Sequence, residues 1–129
     1  MGEFEVVVGA GSYRSGAAET VRFPHRWTAE GVTVTADFTG AHLLHVAAAG
    51  CVLNDVYREA GEMGIRVDGV RVTAAGGFDT TTWASTGITY HVELHSPAPA
   101  DDLDRLLDRV DEVAEIPRAI RAGAPVERR

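Results

Sequence analysis

The sequence contains no lysine and only one cysteine. Because all 12 basic residues are arginines, catalysis through a lysine Schiff base is excluded. Cys51 cannot form a disulfide within its own chain, so the cysteine content gives no sign of an oxidising compartment. Positive charge is scarce as well, and the formal net charge of -7 argues against general binding to nucleic acid or to anionic membrane surfaces.

Long hydrophobic runs are also missing. The apolar run within Leu43–Leu53 is interrupted by His45 and is too short to span a bilayer. The first residues, MGEFEVVVGAG, lack the basic region and apolar core of a signal peptide, so a cytoplasmic location is expected. No P-loop, dinucleotide fingerprint, nucleophile elbow or zinc-knuckle spacing occurs, and we expect no cofactor.

The 129 residues, of which 45% are hydrophobic, predict one globular domain covering residues 1–129. Alternating and β-branched patterns predict strands within 1–38 and 65–96. In the second region, Asp68-Gly69 indicates a bulge or turn, and Gly76-Gly77 is expected to end the first strand, which begins near Ile65.

Residues 40–64 predict a central helix that ends at Gly64, and residues 99–122 predict two C-terminal helices. The order β-β-β-α-β-β-α-α favours an α+β fold with a mostly antiparallel sheet. Cys51 lies in the middle of the central helix, on the face that also carries Asp55 and Arg58. The first half of this helix is nearly all apolar, so it needs cover on several sides, which a homodimer would provide.

The segment LLHVAAAGC, Leu43–Cys51, resembles the central helix of the OsmC/Ohr family of cysteine-dependent hydroperoxide reductases. Two further segments, Gly64–Val72 and Ala114–Ile120, are similar to later motifs of that family. The resemblance implies an OsmC-like fold, in which antiparallel sheets wrap around a long central helix in an intertwined homodimer. It also implies that Cys51 attacks a hydroperoxide and becomes a sulfenic acid at a site on the subunit interface.

The chain departs from the family pattern at two positions. Ile116 stands before Pro117 where the family has its resolving cysteine, so an external thiol reductant would have to complete the cycle. Gly40-Ala41 replaces the Pro-Glu pair that opens the family helix. The family also uses an arginine from the N-terminal strands to hold the thiolate. The candidates for this arginine are Arg14, which we favour, Arg22 and Arg26.

The candidate catalytic residues are Cys51, Arg14, Glu115 and Asp55. Glu115 neighbours the resolving position, so the OsmC-like fold would bring it or Ile116 close to Cys51. Several alternatives stay open at this point. Cys51 could be an inert core thiol, with Asp55 and Arg58 forming only a helix-surface pair. The protein would then bind a small apolar or acyl-like ligand at the dimer interface. A third possibility is an enzyme that uses Cys51, or the Asp55 and Glu115 carboxylates, for other chemistry.

A second group of polar residues, His91, Glu93 and His95, alternates along a predicted strand. Such an arrangement could chelate a metal ion. The solvent-exposed face of a strand covered on one side explains the pattern more simply.

Overall fold

The computed structural model describes residues 3–129. Its elements are β1 (Val6–Gly11), β2 (Val21–Phe23), β3 (Val32–Thr35), α1 (Gly40–Met63), β4 (Gly69–Phe78), β5 (Ser85–His95), α2 (Ala100–Val113) and α3 (Glu115–Ala122). This order confirms the predicted α+β fold. No helix within residues 3–129 combines the length and the apolar character needed to cross a membrane.

The five strands form one antiparallel sheet in the order β2-β3-β1-β4-β5. Alternate residues of the two central strands face the same side, and Val8 pairs with Val72 in the register of β1 and β4. Val6, Val8, Val70 and Val72 are almost completely buried. One face of the sheet therefore provides an apolar surface against which α1 packs.

Helix α1 is fixed at both ends by its own sequence. The hydroxyl of Thr39 accepts a hydrogen bond from the His42 backbone N–H, and Gly64 ends the helix in the left-handed conformation with a φ of 68°. Leu53 and Val56 of α1 are fully buried, as is Leu106 of α2. The helix is thus held between the sheet and the C-terminal helices.

The predicted bounds of β4 are wrong at both ends. The strand begins at Gly69 rather than near Ile65, and it continues through Gly76-Gly77 to Phe78. A β-carbon on Gly76 would come within 2.1 Å of the Gly87 carbonyl oxygen. Glycine at this position therefore permits a close approach between β4 and β5, instead of ending the strand.

Gly11, at the end of β1, is expected to be intolerant of any side chain. Its φ is +61°, and an added β-carbon would lie 2.2 Å from the backbone oxygen of Asp68. Gly11→Ala should lower the free energy of unfolding by about 2 kcal/mol or more, measured by urea denaturation. Gly16→Ala is the matched control, because no atom lies within 4 Å of its added β-carbon, and it should change stability by less than about 0.5 kcal/mol. Equal losses in the two variants would contradict this account.

Candidate functional site

Cys51 lies on α1 opposite the beginning of α3, and its residue is 7% exposed. Asp55 follows one helical turn later on the same face. Glu115, the first residue of α3, approaches both from the other side. The cysteine sulfur and one oxygen from each carboxylate lie within 4.8 Å of one another. The structure therefore brings together three of the four candidate catalytic residues.

The beginning of α3 also favours the thiolate. The Ile116 backbone N–H acts on Cys51 to lower the pKa of the thiol. Backbone N–H groups in the first turn of a helix have no partner within the helix, and they carry the positive end of its dipole. Ile116, at the position where the resemblance to the OsmC/Ohr family would place a resolving cysteine, thus influences Cys51 through its main chain.

Opposing influences act on the pKa of Cys51. Burial raises the pKa above its ordinary 9.0, and this is the largest effect. The Ile116 N–H lowers it, whereas the negative charges of Asp55 and Glu115 raise it. The net result is a raised pKa, so the thiolate is the minor form at neutral pH and its population grows as the pH increases.

Arg58 is the cation that joins the two carboxylates. Its Nη2 lies 3.1 Å from Asp55 Oδ2, and its Nη1 lies 3.9 Å from an oxygen of Glu115. Asp55 is only 2% exposed, so the pair is not a helix-surface pair. Burial raises the pKa of Asp55 from 3.8 to about 6, even though Arg58 lowers it. The site is therefore a partly buried cluster with more negative than positive groups.

The three candidate N-terminal arginines lie elsewhere in the chain. Arg14 pairs with Glu30 at 3.3 Å, and the Arg26 guanidinium lies 5.7 Å from the centre of the Trp27 ring. Arg22 is exposed on β2. None of the three is among the groups of the described chain that shift the pKa of Cys51. The role expected for Arg14 stays a prediction.

The polar residues of β5 are engaged in other interactions. Glu93 forms a two-point ion pair with Arg71, with 3.0 Å between Nε and Oε1. Nδ1 of His95 lies 2.7 Å from the Ser12 hydroxyl. Within residues 3–129, the side chains arranged to hold a metal ion are those of Cys51, Asp55 and Glu115, not those of the β5 pattern.

A mainly apolar groove of about 300 Å³ lies between α1, β5 and α3. Ala48, one turn before Cys51 on α1, lines it together with Ile88, Pro117 and Ile120. Tyr90 borders the groove, and its hydroxyl donates to Asp111 at 2.5 Å. The groove therefore offers an apolar surface formed by the same two helices that carry the thiol cluster.

Removing the Glu115 charge should make Cys51 more reactive at neutral pH. Glu115→Gln is expected to lower the thiol pKa, because a negative neighbour disappears. The thiolate fraction at neutral pH would rise by more than the nucleophilicity of the less basic thiolate falls, so alkylation should be faster. The rate of reaction with iodoacetamide from pH 6 to 10 measures this. Glu112→Gln, on the exposed side of α2, is the control, and identical profiles for the two variants would contradict the assigned geometry.

Sequence reasoning missed two parts of the site. The Ile116 main-chain donor leaves no signature in residue type, because any residue except proline would supply it. The spacing of Arg58 places it on the helical face of Cys51 and Asp55, but spacing does not show that its guanidinium joins the carboxylates of Asp55 and Glu115. That role depends on the position of Glu115, which lies on another helix.

The comparisons with known proteins agree with this architecture. A family model described as OsmC-like protein matches residues 31–129. The OsmC-like protein from Mycoplasma pneumoniae superposes with a TM-score of 0.60 at 16% identity, covering 71% of this chain and 79% of that one. A search of curated proteins finds no match.

Two further solved structures carry names that mention hydroperoxides. One is an organic hydroperoxide resistance protein OsmC from Legionella pneumophila, with a TM-score of 0.56, 19% identity and coverage of 67% of this chain and 62% of that one. The other is an OsmC-like hydroperoxide resistance protein from Jannaschia sp. CCS1, with a TM-score of 0.51, 15% identity and coverage of 98% and 93%. At these identities the superpositions establish the fold, and the match of the family model over most of the chain establishes that this protein belongs to the OsmC-like family.

Proposed function

We propose that this OsmC-like protein is a one-cysteine, thiol-dependent reductase of organic hydroperoxides, with Cys51 as its nucleophile. The observation that carries the proposal is the convergence of the Cys51 sulfur with the Asp55 and Glu115 carboxylates at the beginning of α3. The Ile116 N–H in the first turn of that helix lowers the pKa of the thiol, as the positive end of a helix does for a thiolate.

The first step transfers one oxygen atom from the hydroperoxide to the Cys51 sulfur. A carboxylate of the cluster accepts the Cys51 proton, and the thiolate attacks the terminal oxygen of the hydroperoxide. The O–O bond breaks, the sulfur becomes a sulfenic acid, and the departing alkoxide takes the proton and leaves as an alcohol. Asp55 and Glu115 lie within 4.8 Å of the sulfur and can relay this proton.

The second half of the cycle needs a thiol from outside the chain, because Cys51 is the only cysteine. A low-molecular-weight or protein thiol would condense with the sulfenic acid, releasing water and forming a mixed disulfide. A second thiol would then free Cys51 and leave as a disulfide with the first. A reducing location such as the cytoplasm would supply these thiols.

The apolar groove between α1, β5 and α3 supports a preference for a hydroperoxide with a hydrocarbon group over hydrogen peroxide. Ile120→Asp should raise the KM for cumene hydroperoxide about tenfold, because a charged group would replace apolar lining, while the rate with hydrogen peroxide should change little. Steady-state kinetics with both substrates measures the difference. Val126→Asp, at a residue that is 96% exposed, is the control. A loss of equal size for both substrates would assign Ile120 a structural role instead.

We further propose that the active form is a homodimer and that a second copy brings an N-terminal arginine, Arg14 first, to the thiol. Large apolar side chains exposed on this chain support association, among them Phe38 at 89% and Leu43 at 41%. A dimer by analytical ultracentrifugation, together with a higher Cys51 pKa in Arg14→Met, is the expected outcome.

A second candidate function is the binding of a small apolar or acyl-like ligand without redox chemistry. The raised pKa of Cys51, caused first by burial and then by its two acidic neighbours, favours this alternative, because it keeps the thiol protonated at neutral pH. A thiol that stays unmodified under excess hydroperoxide, in a folded protein that binds a fatty-acyl probe, would establish the binding function instead.

A further inference from the structure

We propose that Cys51, Asp55 and Glu115 form a binding site for a divalent transition-metal ion of the zinc class. The sulfur and the two carboxylate oxygens lie within 4.8 Å of one another. Cys51 and Asp55 are four residues apart on one helical face, and Glu115 comes from a different element. A pair of ligands one helical turn apart with a third from a separate segment can converge on one ion.

A second observation at the site points to a ligand. Asp55 is 2% exposed, and its Oδ2 atom accepts no hydrogen bond from any residue that the structure describes. The Arg58 guanidinium lies 3.1 Å from this oxygen and balances charge, but it is not aligned to donate. Because buried carboxylate oxygens normally accept hydrogen bonds, the open lone pairs of Oδ2 suit a metal ion.

The chemistry of the donors selects the class of metal. A thiolate with two carboxylates suits zinc or cobalt, whereas magnesium and calcium prefer oxygen ligands alone. Three anionic ligands and one Arg58 cation leave two negative charges, which a divalent ion would neutralise. Binding would replace the Cys51 proton with a metal–sulfur bond and release that proton to solvent.

The surroundings permit an ion to enter and be held. The Glu115 side chain is 64% exposed, so it can move inward to bring its carboxylate, now within 4.8 Å of the other two donors, to a coordination distance. The Ile116 N–H at the beginning of α3 would favour the thiolate from outside the ligand set. Three protein ligands leave a fourth position for water.

Titration of the reduced full-length protein with cobalt(II) tests the site without any enzymatic assay. One equivalent of cobalt should produce a sulfur-to-cobalt charge-transfer band in the near ultraviolet, and zinc should abolish the band by displacement. Cys51→Ser should lose the band, and Glu115→Gln should weaken binding about tenfold or more. Glu112→Gln, which removes a comparable charge from α2, should bind like the unchanged protein. Circular dichroism checks that each variant is folded.

The same titration can overturn the proposal. An absent band, or a band that Glu115→Gln leaves at full affinity, would show that these three residues do not act as one ligand set.

The variant Arg58→Met gives a further independent test. Removal of this competing cation should tighten cobalt binding, and weaker binding would contradict the assignment. A final arm rests on the proposed function: one equivalent of zinc should stop hydroperoxide consumption, because it occupies the attacking lone pair. Since cobalt binding is measured separately, failure of the metal site and failure of the reductase function are distinguishable.

Discussion

Cys51→Ser is expected to abolish hydroperoxide consumption, with a loss of about a thousandfold or more. The serine hydroxyl does not ionise near neutral pH, and no other cysteine exists to replace the thiolate. Consumption of cumene hydroperoxide by the purified protein with an excess of dithiol measures the effect.

The matched control for this experiment separates chemistry from folding. Cys51→Ala keeps the small volume of the side chain without a hydroxyl, so its urea denaturation curve shows whether the site tolerates the loss of sulfur. Both variants should be inactive and folded. Residual consumption above about one tenth of the original rate in either variant would assign the activity to another group.

Arg58→Met is expected to destabilise the protein by about 3 kcal/mol at pH 8. Arg58 is the cation beside Asp55. Its removal would leave the buried Asp55 carboxylate near the negative charges of Glu115 and Glu59 without the positive charge of Arg58. Breaking a buried ion pair from one side costs much more than losing an exposed pair. Urea denaturation of both proteins across pH measures the difference.

The pH dependence of this loss has a defined sign. Because burial raises the pKa of Asp55 from 3.8 to about 6, the folded protein holds this proton more tightly than the unfolded chain. The contribution of Asp55 to the free energy of unfolding is therefore fully present below pH 3.8 and is lost as the pH rises through about 6. In Arg58→Met the pKa rises further, so the penalty should be small near pH 5 and largest above pH 7.

Two variants control the Arg58 experiment. Arg105→Met breaks an exposed pair with Asp102 on α2 and should cost less than about 1 kcal/mol at any pH. Asp55→Asn removes the buried charge, and Arg58→Met in that background should lose most of its effect. An unchanged penalty in the double variant would show that Arg58 stabilises the fold through its other contacts.

The sequence predicted the elements of this fold well, because the patterns are local. Thr39 and Gly64 mark the ends of α1, and alternation in β3 and β5 matches the faces that pack on the core. The error in β4 came from Gly76 and Gly77, which resemble a turn, whereas Gly76 permits close contact with β5. Such a contact depends on strand pairing, which no single segment specifies.

The site was predictable only in part. Cys51 and Asp55 share a helical face by spacing alone, whereas the approach of Glu115 to them came from the family resemblance. The Ile116 N–H and the unsatisfied oxygen of Asp55 arise from the angle at which α3 meets α1, and this tertiary geometry leaves no pattern in residue types.

The most direct test of the central claim, that Cys51 reacts as a thiolate, is mass spectrometry of the reduced protein after brief exposure to cumene hydroperoxide and a sulfenic-acid trap. One trapped adduct per chain is expected, located at Cys51, with a rate that increases as the pH rises toward 9. A folded protein whose Cys51 remains an unmodified thiol throughout that pH range would contradict it.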